Sequence, residues 1–216
     1  MAQFRTDIQQ KSEEWHKLRV AKVGGSTSSQ LHVKSDTLLE QMLAELCEPL
    51  LIKDSYVSDA MIRGNELEPL AIAEVSKYTG VQFHSIGWIQ SDECDLIGAS
   101  PDGISEDLED IVEVKCPSAK VHISYIRGGV VPPDHIDQVA HYFAVHPELK
   151  RVHFASYRPE CVKPLFVVTV TPDTEVNVGT KARPVMAKVG EYAELKVSLA
   201  KELDVRIKDE FEKLTF

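Results

Sequence analysis

The sequence predicts an α/β (α+β) fold in which a central mixed β-sheet is flanked by helices, and three observations carry that prediction. Apolar residues recur at helical spacing near both ends of the chain, and residues 81–116 hold short β-type runs bounded by Gly, Pro and Asp. Helical periodicity returns after residue 133, followed by two more strand-like runs. No composition shift or linker divides the chain, so residues 1–216 are assigned to one domain.

Taken in order, Glu13 to Arg19 reads as a short helix ending near Gly24-Gly25-Ser26, followed by a Thr/Ser-rich turn. Leu38, Leu39, Met42, Leu43 and Leu46 make Thr37 to Cys47 an amphipathic helix, stopped before Pro49. Residues 58–78 are helical as well, with a kink or break expected at Gly64 and Pro69. Strands are expected at Val81 to Ile86, Gly87 to Gln90, Leu96 to Ser100 and Ile111 to Cys116, forming a meander. Asp134 is the expected N-cap of a helix reaching Val145, with strands after it at Val152 to Tyr157 and Leu165 to Val170. Val189, Tyr192, Leu195, Leu199, Leu203, Ile207, Phe211 and Leu214 mark a long amphipathic C-terminal helix at about residues 186–214.

Composition narrows the function. A formal charge of −10 excludes a protein that coats nucleic acid by bulk electrostatics, because neutralising phosphate needs local Lys and Arg. It leaves room for an enzyme with a narrow basic groove and metal ions offsetting its carboxylates. The start, Met1-Ala2-Gln3-Phe4-Arg5, lacks the apolar core of a signal peptide, and no later segment is apolar enough to span a bilayer. A cytoplasmic location with no membrane partner is the expectation. Cys47, Cys94, Cys116 and Cys161 show no metal-ligand spacing and are expected to be reduced and mostly buried. His135 and His141 lie six apart, which does not put two imidazoles on one helical face for zinc.

The chemistry-bearing residues are Ser100-Pro101-Asp102-Gly103 and Ile111-Val112-Glu113-Val114-Lys115. Pro-Asp-Gly is a turn signal that sets Asp102 just beyond a strand. In the next strand the period of two puts Glu113 and Lys115 on one face, with Val112 and Val114 turned into a core. A hairpin would then bring two carboxylates and an ammonium to one point. Such carboxylates suit Mg²⁺, with Mn²⁺ as a substitute, and the set suffices for phosphodiester hydrolysis. On pattern alone, a hairpin turn beside a solvent-facing strand explains the same residues.

Ser100-Pro101-Asp102-Gly103 followed by Glu113-Val114-Lys115-Cys116-Pro117 resembles the phage lambda exonuclease family of recombination nucleases, within the PD-(D/E)XK superfamily. Trp15-His16-Lys17-Leu18-Arg19 with Ser26, Arg63-Gly64-Asn65-Glu66-Leu67-Glu68, Arg127-Gly128-Gly129 and the Gln138-Val139-x-x-Tyr142 helix extend the resemblance from residue 15 to residue 142. It implies a restriction-endonuclease-like core and a Mg²⁺-dependent 5′→3′ exonuclease on double-stranded DNA that leaves a 3′ single-stranded tail. It also implies a homotrimer and a single-strand annealing recombinase as partner. Carried over, Asp102, Glu113 and the Val114 carbonyl become metal ligands, Lys115 the catalytic lysine, and Glu68 and Gln138 supporting catalytic residues. Arg19, Ser26 and Ser100 become 5′-phosphate-binding residues, with Met61 a candidate strand wedge and Lys120 a loosely matched phosphate contact. An apolar helix residue such as Met61 is more often core, and Glu68 has a second reading as a capping residue at a helix restart. The acidic stretch 106–110 reads as a solvated hairpin tip, with Asp110 close enough to be a further ligand. An endonuclease of the same superfamily and a non-catalytic DNA-binding scaffold are the competing functions.

Overall fold

The computed structural model describes residues 2–32, 36–48 and 58–214. In chain order the elements are β1 (Gln3–Arg5), α1 (Glu13–Leu18), a 3-10 helix (Ser28–His32), α2 (Thr37–Cys47), α3 (Asp59–Thr79), β2 (Phe83–His84), β3 (Trp88–Gln90), β4 (Gly98–Ala99), β5 (Gly103–Ser105) and β6 (Asp110–Lys115). There follow α4 (Ala119–Gly128), α5 (Pro133–Val145), β7 (Arg151–Tyr157), β8 (Leu165–Val170), β9 (Glu175–Asn177), β10 (Met186–Lys188) and α6 (Val189–Leu214).

A five-stranded mixed sheet of order β2-β5-β6-β7-β8 forms the centre, with β6 and β7 parallel and the other neighbours antiparallel. A parallel pair needs a crossover, and α4 and α5 supply it. The crossover covers one face of the sheet and α3 covers the other. Val112, Val114, Ala155 and Tyr157 pack with Ala71 and Val75 of α3, while Ile111, Val152 and Phe154 join the larger core with Tyr142 and Phe143 of α5.

Several expectations change at this level. The meander divides: β3 and β4 join β1 in a separate three-stranded sheet, whereas β2 and β5 pair in the central one. Gly98 lets β4 lie close against β3, since a Cβ there would lie 2.1 Å from the Trp88 ring. α3 runs unbroken through Gly64 and Pro69. Packing of Ala71 and Val75 against the sheet outweighs the roughly 3 kcal/mol that an internal proline costs. Pro132, not Asp134, is the N-cap of α5, and Pro133, whose missing N–H is harmless in a first turn, begins it. Pro49 lies outside the described residues. Only Cys94 is buried; Cys47 is exposed in the last turn of α2, and Cys116 and Cys161 are half-buried just beyond the ends of β6 and β7.

Asp110 is no metal ligand and not part of a solvated tip. It is buried at the start of β6, where Arg151 Nε and Nη2 donate to it at 2.5 and 2.6 Å and His153 Nε2 lies at 2.7 Å. Burial alone would raise its pKa, but the hydrogen bonds from Arg151 and His153 outweigh burial and hold it below the usual carboxylate range. A depressed acid pKa contributes stability above the unfolded value, about 3.9, and loses it as pH falls through the folded one. Asp110→Ala is therefore expected to cost about 2–3 kcal/mol at neutral pH, the scale of hydrogen bonds to charged groups. Urea unfolding should show the gap between variant and parent closing as the pH is lowered below the carboxylate range.

Candidate active site

The site sits where β6 ends. Pro101 and Asp102 carry the chain from β4 to β5, and the β5–β6 pairing sets Gly103 opposite Val112. Asp102 thus flanks the next residues of β6, and its Oδ2 accepts the Val114 N–H at 2.6 Å. Glu113 and Lys115 share the face covered by α5, so the solvent-facing-strand reading fails: Glu113 is only 2 % exposed. Its two oxygens are both engaged, one by the Lys115 ammonium and the other by the Tyr142 hydroxyl. Gln138, one turn earlier on α5, donates its amide to Tyr142 Oη at 3.1 Å. A chain of groups, Gln138 to Tyr142 to Glu113 to Lys115, therefore links helix to strand.

Charge is unbalanced here. Glu68, mid-helix on unbroken α3 and so not a capping residue, faces the same place. Burial first, then the Glu113 and Glu68 carboxylates, push the Asp102 pKa well above the ordinary range. Burial also raises Glu68, with Glu113 adding to the effect against Lys11 and Lys115. Burial would lower Lys115, but Glu113 and Asp102 outweigh it, so its pKa is raised and the side chain is an ammonium. Tyr142 is driven far up by burial and then by Glu113 and Asp102, which keeps its hydroxyl a neutral donor.

Two cavities meet at Asp102 and Lys115. The inner one, about 220 Å³, is lined by Arg19, Gly24, Gly25, Ser26, Ser100 and Gln138 as well as by Asp102, Glu113 and Lys115. Arg19 caps the end of α1, its guanidinium stacked 4.0 Å from the Trp15 ring centre, and it forms no ion pair among the described residues. Burial lowers its pKa, countered by the Tyr142 and Glu45 side chains. Trp15 is fixed in turn, its Nε1 donating to Ser100 Oγ at 2.8 Å and Gly87 O at 3.0 Å. Ser100 donates its own proton to Gly87 O at 2.7 Å. The outer cavity, about 420 Å³, holds Glu68, Val114, Cys116, Tyr125 and His135, with Met61 at its edge. Met61 is 51 % exposed and is not core. Lys120, exposed in the first turn of α4, lines neither cavity.

The model for the YqaJ-like viral recombinase domain matches residues 14–148, which takes in every residue of both cavities. The chain belongs to the YqaJ-like viral recombinase domain family. Comparison with curated proteins gave no match. Among solved structures, the alkaline exonuclease LHK-Exo of Laribacter hongkongensis is 28 % identical, with a TM-score of 0.70 over 94 % of this chain and 98 % of that one. Its complex with dAMP superposes equally, at 27 % identity and a TM-score of 0.70, with the same coverage. The nuclease fold expected from the motifs is therefore present in this family member. Among the described residues no helix is long and apolar enough to cross a membrane.

Tyr142 reads from the sequence as a motif residue with Gln138, but the sequence assigns it no role. Its i, i+4 relation to Gln138 marks a shared helix face, but its contact with Glu113 depends on how α5 crosses β6.

Proposed function

We propose that this protein is a metal-dependent exonuclease that hydrolyses the 5′-ended strand of double-stranded DNA in the 5′→3′ direction, leaving a 3′ single-stranded tail for recombination. One observation carries the reading: a half-buried guanidinium with no ion pair among the described residues, Arg19, opens into the same space as Asp102, Glu113 and Lys115. A terminal 5′ phosphate bound by Arg19, with Ser26 and Ser100 beside it, sets the next phosphodiester over the carboxylates. Such placement converts a chance encounter into a fixed geometry, which is where much of an enzyme's rate advantage lies. The names of the structural relatives, an exonuclease and its complex with a deoxynucleoside monophosphate, support it.

The donors fit a hard divalent cation. Three carboxylates, Glu68, Asp102 and Glu113, converge there against the Lys115 and Lys11 ammonium groups, and burial first, then the Glu113 and Glu68 charges, raise the Asp102 pKa. No three His, Cys, Asp or Glu side chains among the described residues form a closed metal cage. Mg²⁺ does not require one, since it keeps waters and takes one or two carboxylates plus substrate phosphate. Asp102, Glu113 and the Val114 carbonyl would hold Mg²⁺ or Mn²⁺, which when bound lowers the pKa of water and offsets charge on the phosphate. Lys115, protonated, orients the attacking water and stabilises charge developing on the phosphate oxygens. Gln138 and Tyr142 keep Glu113 aimed, and Glu68 stands ready to accept a proton. Met61, exposed at the cavity edge, would wedge between the strands. A trimer around the duplex, an annealing protein docked nearby and a cytoplasmic location complete the proposal.

Digestion of linear duplex with and without a 5′ phosphate, in Mg²⁺ or EDTA, tests it. Nucleotides should be released from the phosphorylated strand only with Mg²⁺. Arg19→Ala should reduce the preference for the 5′-phosphorylated end by about tenfold or more, the scale of one charge-assisted phosphate contact. Cutting of closed circles would shift the assignment to an endonuclease, and absence of any metal-dependent cleavage would leave a DNA-binding scaffold.

A further inference from the structure

A second pair of arginines lies outside the machinery above, on the rim of the outer cavity. Arg63 projects from α3, between Ala60 and Gly64, which both line that cavity. Arg158 follows the end of β7 and donates from Nη1 to the carbonyl of Pro117, another lining residue, at 3.2 Å. The two guanidinium groups share a single carboxylate. Arg63 Nη2 donates to both Glu160 oxygens, at 2.8 and 2.9 Å, and Arg158 Nε lies 3.0 Å from Oε2.

The match is incomplete in charge and in geometry. Two cations face one anion, leaving a net positive charge beside the catalytic strand. Arg63 Nη1 and Arg158 Nε are buried and have no aligned hydrogen-bond partner among the described residues. A carboxylate holds its two oxygens close together in one plane, whereas the two non-bridging oxygens of a backbone phosphodiester are set wider apart on a tetrahedron, so that each can take its own arginine fork. The exposures differ in the same sense: the Arg63 and Arg158 side chains are 29 % and 24 % exposed, that of Glu160 60 %. Glu160 stands on the turn between β7 and β8, where a side chain turns out to solvent at little cost, because exposed ion pairs contribute roughly 0–1 kcal/mol. The position also fits: the carboxyl ends of the parallel strands β6 and β7 are where ligands bind on open α/β sheets.

We propose that Arg63 and Arg158 form a binding site for a DNA backbone phosphate on the outer rim of the cavity, which Glu160 fills until DNA displaces it. The inference rests on the DNA nuclease reading. Arg19 holds the strand end on the inner side, and the Arg63–Arg158 pair holds the duplex that is still to be degraded. Glu160 competes with phosphate, so the site engages only a substrate anchored by its other contacts.

The test is fluorescence anisotropy of the full chain with a 5′-phosphorylated duplex in EDTA, over a salt series. Glu160→Gln keeps the size of the side chain and both arginines; it should tighten binding, by up to about fivefold if the competing pair is worth up to 1 kcal/mol. Arg63→Ala with Arg158→Ala should weaken binding about tenfold near physiological salt. It should also flatten the slope of log K against log salt by about 0.9 for each phosphate that is no longer neutralised. Unchanged or weaker binding by Glu160→Gln overturns the site and makes the cluster a structural ion pair, even if the double variant fails to fold. A wild-type salt slope in a folded double variant overturns it too. Failure of the wild-type chain to bind duplex at any salt would instead overturn the nuclease reading itself.

Discussion

Lys115→Ala is expected to lower turnover of a 5′-phosphorylated duplex by about 10²–10³-fold, the range seen when one preorganised transition-state donor is removed, while duplex binding persists. The expectation follows from what holds the ammonium in place. Glu113, buried on the α5 face, binds it directly, and Asp102 adds a second negative charge, so together they outweigh burial and keep it protonated. A lysine held in that state is expected to act by its charge and its N–H groups and not as a base. Lys115→Arg should accordingly retain a measurable part of the rate, whereas a lysine acting as base would leave the arginine variant as inactive as alanine. Single-turnover rates of the three proteins at saturating Mg²⁺ decide between the two.

Asp102 carries the opposite imbalance. Its pKa is raised in the folded chain, by burial and then by Glu113 and Glu68. Its contribution to stability is thus fully present below the unfolded value of about 3.9 and is lost as pH rises through the folded one. Mg²⁺ bound there would relieve that loss by pairing with the ionised carboxylate. Melting curves should show Mg²⁺ raising Tm more at pH 8 than near the carboxylate range, and Asp102→Asn should remove the increment.

What the sequence made legible follows from how local each signal is. Glu113 and Lys115 are two apart in a strand of β-branched neighbours, and Asp102 stands in a Pro-Asp-Gly turn, so short-range rules suffice to bring them together. The long helices α2 and α6 declare themselves by periodicity in the same way. α4 buries a histidine, His122, and leaves Val121 and Ile123 exposed, so its apolar residues do not mark its inward face, and the strands β1, β9 and β10 are three residues each. The role of Tyr142 depends on a contact 29 residues away, fixed by the α5 crossover. Periodicity found the inward face of α6, where Val189, Tyr192 and Ile207 are buried, but not its margins. Leu195 and Leu214, placed in its apolar stripe, are about half exposed, while Lys196 is fully buried.

Removing that buried lysine should be among the most destabilising single changes in the chain. Lys196 Nζ donates to Asp137 Oδ1 at 2.5 Å and to Ser28 O at 3.1 Å, and Tyr192 donates its hydroxyl to the same Asp137 oxygen at 2.8 Å. Burial lowers the Lys196 pKa, opposed by the Asp137 charge. Lys196→Met leaves Asp137 part-buried with its countercharge gone and should cost about 3–5 kcal/mol, the penalty for breaking a buried pair from one side. Adding Asp137→Leu removes the stranded charge as well and should recover much of that loss. Urea unfolding of the single and double variants provides the check, and equal stability of the two would show that the pair is not the source. Function should not recover in step. Asp137 directly precedes Gln138 on α5, and Ser28 Oγ donates to Gly25 O at 2.9 Å and Asp137 O at 3.0 Å. The cluster therefore ties α6, α5 and the Gly24–Ser26 loop of the inner cavity into one unit. Gly25 approaches α5 so closely that a Cβ would lie 3.0 Å from Gln138 Cγ, leaving little slack in the loop. The double variant should be stable and still show a raised KM for 5′-phosphorylated ends, because the loop is no longer held firmly against Gln138.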